Sequence, residues 1–143
     1  MTRYKYPRTF HLPFSEGVGS DDKIAKDLSN IIGNRCVVTV KMDGENTTIG
    51  RDYCHARSID SKHHESRSMV KQLQNYIGWL LEENERICGE NLYAKHSIAY
   101  NNLKSYFYGF SFWDGDECKN WGLPSIFFLR LVLPQLKSFM MGL

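Results

Sequence analysis

This chain lacks most of the features that settle a protein's class at a glance. Its four cysteines, Cys36, Cys54, Cys88 and Cys118, form no CxxC pair, so zinc-ribbon spacing is absent. At 143 residues the chain is long enough for one domain with a real core, and a disulfide framework is not expected. A reduced, cytosolic setting follows as the expectation. No apolar run reaches membrane-spanning length, since the nearest, residues 126–133, is short and contains Arg130. The opening Met-Thr-Arg-Tyr-Lys-Tyr has no apolar signal core. A net charge of +2 is too small to imply a nucleic-acid partner by itself. There is no internal repeat and no low-complexity segment.

What is present is local. Residues 41–46 read Lys-Met-Asp-Gly-Glu-Asn and follow the apolar run Val37-Val38-Thr39-Val40. A strand that fixes an amine, followed by a tight turn, suits a lysine nucleophile. Burial beside other cations would lower its pKa and free the lone pair. A surface lysine at a hairpin turn is the plainer alternative. Residues 51–71 concentrate three Arg, two Lys and three His.

The pattern along the chain predicts an α+β fold. Pro7, Pro13, Gly17 and Gly19 make residues 1–19 loop-rich. Ser20-Asp21-Asp22 resembles a helix start, and Ile24, Leu28, Ile31 and Ile32 recur at helical spacing, so a helix is expected over 21–32. Residues 35–41 read as a strand. Asp43-Gly44 and Thr47-Thr48-Ile49 suggest a turn and a return strand of a hairpin. Residues 52–68 are polar and mostly irregular. Met69, Leu73, Tyr76, Ile77, Leu80 and Leu81 mark an amphipathic helix over 68–82. Residues 82–86 read as a solvated connection, 87–93 and 106–113 as strands, and 94–105 as a polar loop.

Four segments in order carry a resemblance. Lys-x-Asp-Gly-x-Asn at 41–46 is followed by His55-Ala56-Arg57-Ser58. Then come Gly89-Glu90-Asn91-Leu92-Tyr93-Ala94-Lys95-His96-Ser97 and Tyr106-Phe107-Tyr108-Gly109-Phe110-Ser111-Phe112-Trp113-Asp114. They resemble motifs I, Ia, III and IIIa of the covalent lysine nucleotidyltransferases, the superfamily of ATP-dependent ligases and RNA capping enzymes. The wording is similar to a group of RNA ligases, many of them from phages, and the opening Tyr6-Pro7-Arg8-Thr9-Phe10-His11-Leu12-Pro13 fits the same group. The resemblance spans residues 4–126, with a divergent tail over 127–143.

This resemblance implies a partial nucleotidyltransferase (ATP-grasp-like ligase) domain with an antiparallel-rich sheet and flanking helices. It implies an ATP-dependent RNA ligase that seals 5′-phosphate and 3′-hydroxyl RNA ends through a lysine–AMP intermediate, with magnesium on the phosphates. Lys41 would be the nucleophile, the backbone at Val40 and Lys41 would face adenine, and Asn46 would lie in the nucleotide site. Arg57 would contact ribose or phosphate, Glu90 a ribose hydroxyl, and Phe107, or failing that Phe110, would stack on adenine. Lys62, Arg67 and Lys95 are candidate contacts to RNA phosphates. No resident metal site is expected, because adjacent His63 and His64 point apart on most backbones. Each residue also has a plain role open to it: Arg57 as a surface arginine, Glu90 in a structural ion pair, the phenylalanines in the core, and Asp43 and Asn46 as turn formers.

Two later superfamily motifs, a carboxylate-bearing strand and a strand with two lysines, have no convincing copy here. Lys137 in Pro134-Gln135-Leu136-Lys137-Ser138 does not match the latter. The chain is therefore expected to stop inside the catalytic domain, with the tail patching an apolar face. A non-catalytic remnant that binds nucleotide or RNA ends, and a DNA ligase or capping-type enzyme, are the alternative readings.

Overall fold

The computed structural model describes residues 2–122 and the backbone of 138–142. They fall into two compact units. One comprises residues 2–6 and 40–122, the other 7–39 and 138–142.

The larger unit is an antiparallel sheet with one helix. Its strands are β2 (Glu45–Gly50), β3 (Cys54–Ala56), β4 (Glu85–Asn91), β5 (Phe107–Asp114) and β6 (Glu117–Cys118), in the spatial order β3-β2-β4-β5-β6. Helix α1 (Ser68–Ile77) lies between β3 and β4 in sequence and continues as a 3-10 turn, Gly78–Leu80. Val70, Gln74 and Ile77 recur at helical spacing on its buried face. Val70 and Ile77, with Leu81, meet Ile49, Ile87, Phe107 and Phe112 of the sheet to form the core, while Gln74 donates to the Arg51 carbonyl. Tyr76 and Trp79 are left outward, 82% and 69% exposed. The helix tightens at Gly78, where a Cβ would lie 2.2 Å from the Arg51 carbonyl oxygen.

A β-bulge sets which side chains reach the core. Gly89 faces Gly109 and Cys88 faces Ser111, so Phe110 is an extra residue on β5. Phe107 and Phe112, five residues apart, therefore share the core side. On the other side the register aligns Asn46, Glu90 and Tyr108, then Thr48, Cys88 and Ser111. The N-terminal residues cross this second side. The Tyr6 ring meets Phe110 edge-on at 5.5 Å and Trp113 at 6.0 Å. Arg86, only 2% exposed, stacks its guanidinium on Tyr4 at 4.8 Å and on Trp113 at 4.7 Å. Arg86 was expected in a solvated connection. It is instead a strand residue whose charge is covered by two aromatic rings.

The smaller unit pairs β1 (Arg35–Thr39) with β7 (Ser138–Gly142), antiparallel, Arg35 opposite Gly142. The expected hairpin between 35–41 and 47–49 does not form, because β2 pairs with β3 and β4 instead. Asp43-Gly44 is no hairpin turn: Gly44 lacks the positive φ that a type I′ hairpin turn needs, and the loop at 97–100 takes the polar groups of Asp43. The helix expected over 21–32 is likewise absent, replaced by turns. The Asp22 carboxylate accepts the Gly19 N–H at 2.9 Å, and Asp27 accepts the Ser29 N–H at 2.9 Å. Such side-chain bonds compete with the helix ladder. Ile24 and Ile32 stay 48% and 67% exposed, so the apolar stripe gains little from burial. The part of the tail over 127–137 lies outside the described residues.

Candidate functional site

The site is assembled where β1 has ended and β2 has not begun. Residues 40–44 carry no regular structure and are held by side chains from later in the chain. The Tyr100 hydroxyl accepts the Asp43 N–H at 2.8 Å, and the Asp43 carboxylate accepts the N–H groups of Ser97 and Ile98 at 2.8 and 2.9 Å. Those two bonds, the Ile98 one foremost, hold the Asp43 carboxyl below its ordinary pKa. The Gly44 N–H donates to Glu90 Oε1 at 3.0 Å. Motif-like residues 41–46 are thus fastened to β4 and to the loop that follows it.

Gly44 is required here by close approach. A Cβ would meet the Asn91 carbonyl oxygen at 2.5 Å, Leu92 Cδ2 at 2.6 Å and Glu90 Cγ at 3.1 Å. Gly44→Ala is expected to destabilise the chain by about 1–3 kcal/mol and to displace Glu90. Urea unfolding checks this, and an unchanged midpoint would refute it.

Glu90 is the electrostatic centre. Burial raises its carboxyl pKa, partly offset by the Gly44 N–H and by the charges of Lys41 and His96. The folded chain therefore binds the Glu90 proton more readily than the unfolded chain does. This group's contribution is most favourable below its ordinary value of 4.5 and is lost as pH rises through the raised folded value. Glu90→Gln is expected to flatten that segment of the stability–pH curve, relative to wild type, in thermal melts from pH 4 upward. A curve parallel to wild type would count against it.

Asn46 stands opposite Glu90, and its Oδ1 is buried without a hydrogen-bond partner. An unpaired buried acceptor is costly unless a ligand donor completes it. Lys41 is exposed, and Val40 is 44% exposed. Burial of the lysine at a strand end was expected, but β1 stops at Thr39, so solvent reaches the amine. Arg57 is exposed directly after β3, whose Ala56 faces Thr47, so the register sets it at the Asn46 end of the sheet. Lys95 is exposed and lines a cleft of about 250 Å³ with Asp43, Tyr93, Tyr100 and Tyr106.

Phe107, Phe110 and Arg67 lie elsewhere. Phe107 is fully buried in the core on the side of the sheet opposite Glu90, so it does not line this site. The β5 aromatic directly opposite Glu90 in the register is Tyr108, half-buried, which the residue pattern alone gave no reason to prefer. Phe110 packs on Tyr6. Arg67 is drawn into a two-pronged ion pair with Glu45, at 2.7 and 2.8 Å, and also donates to the Lys62 carbonyl. Burial would raise the Glu45 carboxyl pKa, but the Arg67 hydrogen bond and charge carry it below its ordinary value. The guanidinium thus fixes the loop before α1 to β2. Lys62 is exposed.

Among the described residues, no group of three or more His, Cys, Asp or Glu side chains is placed to hold a metal ion. None of their helices is long and apolar enough to cross a membrane.

Lys41, Asn46, Arg57 and Glu90 all lie within residues 34–128, which match the model of the family described as RNA ligase. The chain belongs to the RNA ligase family. No curated protein and no solved structure matches it. As a member of this family, the chain presents Lys41 beside a sheet side on which a raised carboxyl and an unpaired buried amide oxygen stand opposite each other.

Proposed function

We propose that this RNA ligase family member is an ATP-dependent enzyme that seals 5′-phosphate and 3′-hydroxyl RNA ends through AMP carried on Lys41. One observation carries the reading above the others. Glu90, close enough to feel the Lys41 charge, shares its sheet side with the unpaired Asn46 Oδ1. A carboxylate and an amide oxygen are acceptors for the hydroxyl and amino groups of a nucleoside, set beside an amine.

In the first step, neutral Lys41 Nζ attacks the α-phosphorus of ATP. A P–N bond forms, the bond to pyrophosphate breaks, and the amine loses a proton to solvent. The nucleotide itself covers the exposed amine and excludes water. In the second step, a 5′-phosphate oxygen of RNA attacks the same phosphorus, and the P–N bond breaks as Lys41 Nζ takes up a proton from solvent and leaves as the free amine, giving RNA-adenylate. In the third, a 3′-hydroxyl attacks the RNA 5′-phosphorus, releasing AMP and losing its proton.

Glu90 accepts a hydrogen bond from a ribose hydroxyl, and Arg57 contacts ribose or phosphate. The backbone of Val40 and Lys41 faces adenine, and Tyr108 takes the stacking role that the resemblance assigned to Phe107. Lys62 and Lys95 contact RNA phosphates. Magnesium, held chiefly by phosphate oxygens and water, would neutralise charge at the α-phosphate.

The test is incubation with α-labelled ATP and magnesium. Covalent label on the chain with release of pyrophosphate supports the reading. Nucleotide binding without label supports a non-catalytic binder, and label from GTP in preference to ATP supports a capping-type enzyme.

A further inference from the structure

A second concave region lies on the other edge of the larger unit, at β3 and the start of α1. It is a cleft of about 300 Å³ whose lining includes Arg3, Tyr53, Lys62, Arg67 and Lys71, with Asp52 the sole carboxylate among its walls. The charges converge rather than merely share a surface. The Cys54 thiol, whose pKa burial raises, feels Lys71, Arg67 and Arg3 together. Arg67 is answered by Glu45. Arg3, Lys62 and Lys71 make no ion pair among the described residues. Arg3 is steered towards the cleft by the Tyr53 ring, 5.1 Å from its guanidinium carbon. Several like charges gathered around a concavity with one carboxylate among them still repel one another, and an anion in the cleft relieves that repulsion. A concave wall also focuses the field on such a ligand.

We propose that this cleft is a phosphate-binding site for the RNA strand, gripped by Arg3, Lys62 and Lys71. The choice of RNA rests on the ligase reading above. A planar guanidinium offers paired donors to phosphate oxygens and lysine offers a point charge, so this set suits a backbone phosphate. The Arg67–Glu45 pair joins the cleft to the start of β2, the strand that follows the Lys41 segment. Glu45 follows Lys41 by four residues, a span of at most about 14 Å. A strand held here is therefore within reach of Lys41.

The experiment measures binding of a fluorescein-labelled single-stranded RNA to the full chain across 50–200 mM salt, with no ATP. It reads the cleft whether or not Lys41 takes AMP. Lys62→Gln combined with Lys71→Gln is expected to weaken binding at least tenfold at 50 mM salt. The slope of log affinity against log salt should flatten by about 1.4, because two phosphates of a single strand are no longer neutralised. Both side chains are exposed, so folding should persist, as circular dichroism would verify. Lys71→Arg should keep affinity within about threefold.

Comparing 5′-phosphorylated with 5′-hydroxyl RNA separates a terminal phosphate, bound with clear preference, from an internal phosphodiester, bound equally. Either supports the site. Unchanged affinity and slope in the double variant would overturn it, as would inorganic phosphate binding without any RNA binding by wild type.

Discussion

Lys41→Ala is expected to abolish covalent labelling of the chain by α-labelled ATP, a loss of at least 1000-fold. The alanine has no lone pair to form the P–N bond, and no other lysine is fastened beside Glu90 by the 41–46 segment. Lys41→Arg should be equally inactive. Its charge survives, but a guanidinium stays protonated and cannot attack phosphorus. The pair of variants separates a nucleophile from a mere positive charge. Neither should unfold the protein, because Lys41 is exposed and outside any strand, so stability should move by no more than about 0.5 kcal/mol. Removing the Lys41 cation should also push the Glu90 carboxyl further up, since that charge now holds it down. Denaturing gel autoradiography reads the label. Persistent labelling of Lys41→Ala at the wild-type rate would end the proposal.

Phe107→Ala and Tyr108→Ala, one residue apart, should fail in different ways. Phe107 is fully buried among Ile49, Val70, Ile87 and Phe112. Its truncation leaves a cavity between helix and sheet and should cost about 3–5 kcal/mol. That is a large part of the 5–15 kcal/mol typical of a domain, so a sharp drop in melting temperature is expected. Tyr108 is half-buried on the Glu90 side, and its hydroxyl accepts the Lys104 N–H at 3.1 Å. Tyr108→Ala should fold, with loss falling on nucleotide binding. Stacking of one base on an aromatic ring contributes about 1–3 kcal/mol, roughly five- to 150-fold in affinity. Phe107→Leu keeps most of the core volume and supplies the control. If Phe107→Leu folds but loses ATP while Tyr108→Ala keeps it, the stacking role returns to Phe107.

Much of the larger unit was legible beforehand. Strands near 87–93 and 106–113 and a helix near 68–82 match β4, β5 and α1 closely, because each buries one face and its period shows in the residues. The ordered segments that carry Lys41, Arg57 and Glu90 pointed to the RNA ligase family, whose match covers all three. The failures have a common cause. The helix over 21–32 had the right spacing, but spacing does not supply a surface to bury its stripe. The hairpin at Asp43-Gly44 had the right turn residues, but their polar groups bond instead to Glu90, Ser97, Ile98 and Tyr100, around fifty residues away.

By itself the sequence determined the elements with strong local periodicity, the reactive residue types and their order along the chain. Tertiary structure alone decided which of them face one another. A one-residue bulge at Phe110 sends Phe107 into the core and leaves Tyr108 beside Glu90. An ion pair with Glu45 takes Arg67 out of the free charges around the second cleft, while residues from the N-terminus and α1 bring Arg3 and Lys71 into it. Side chains alternate across a strand every residue, so a single shift in register exchanges core and site. Nothing in the local pattern records that shift.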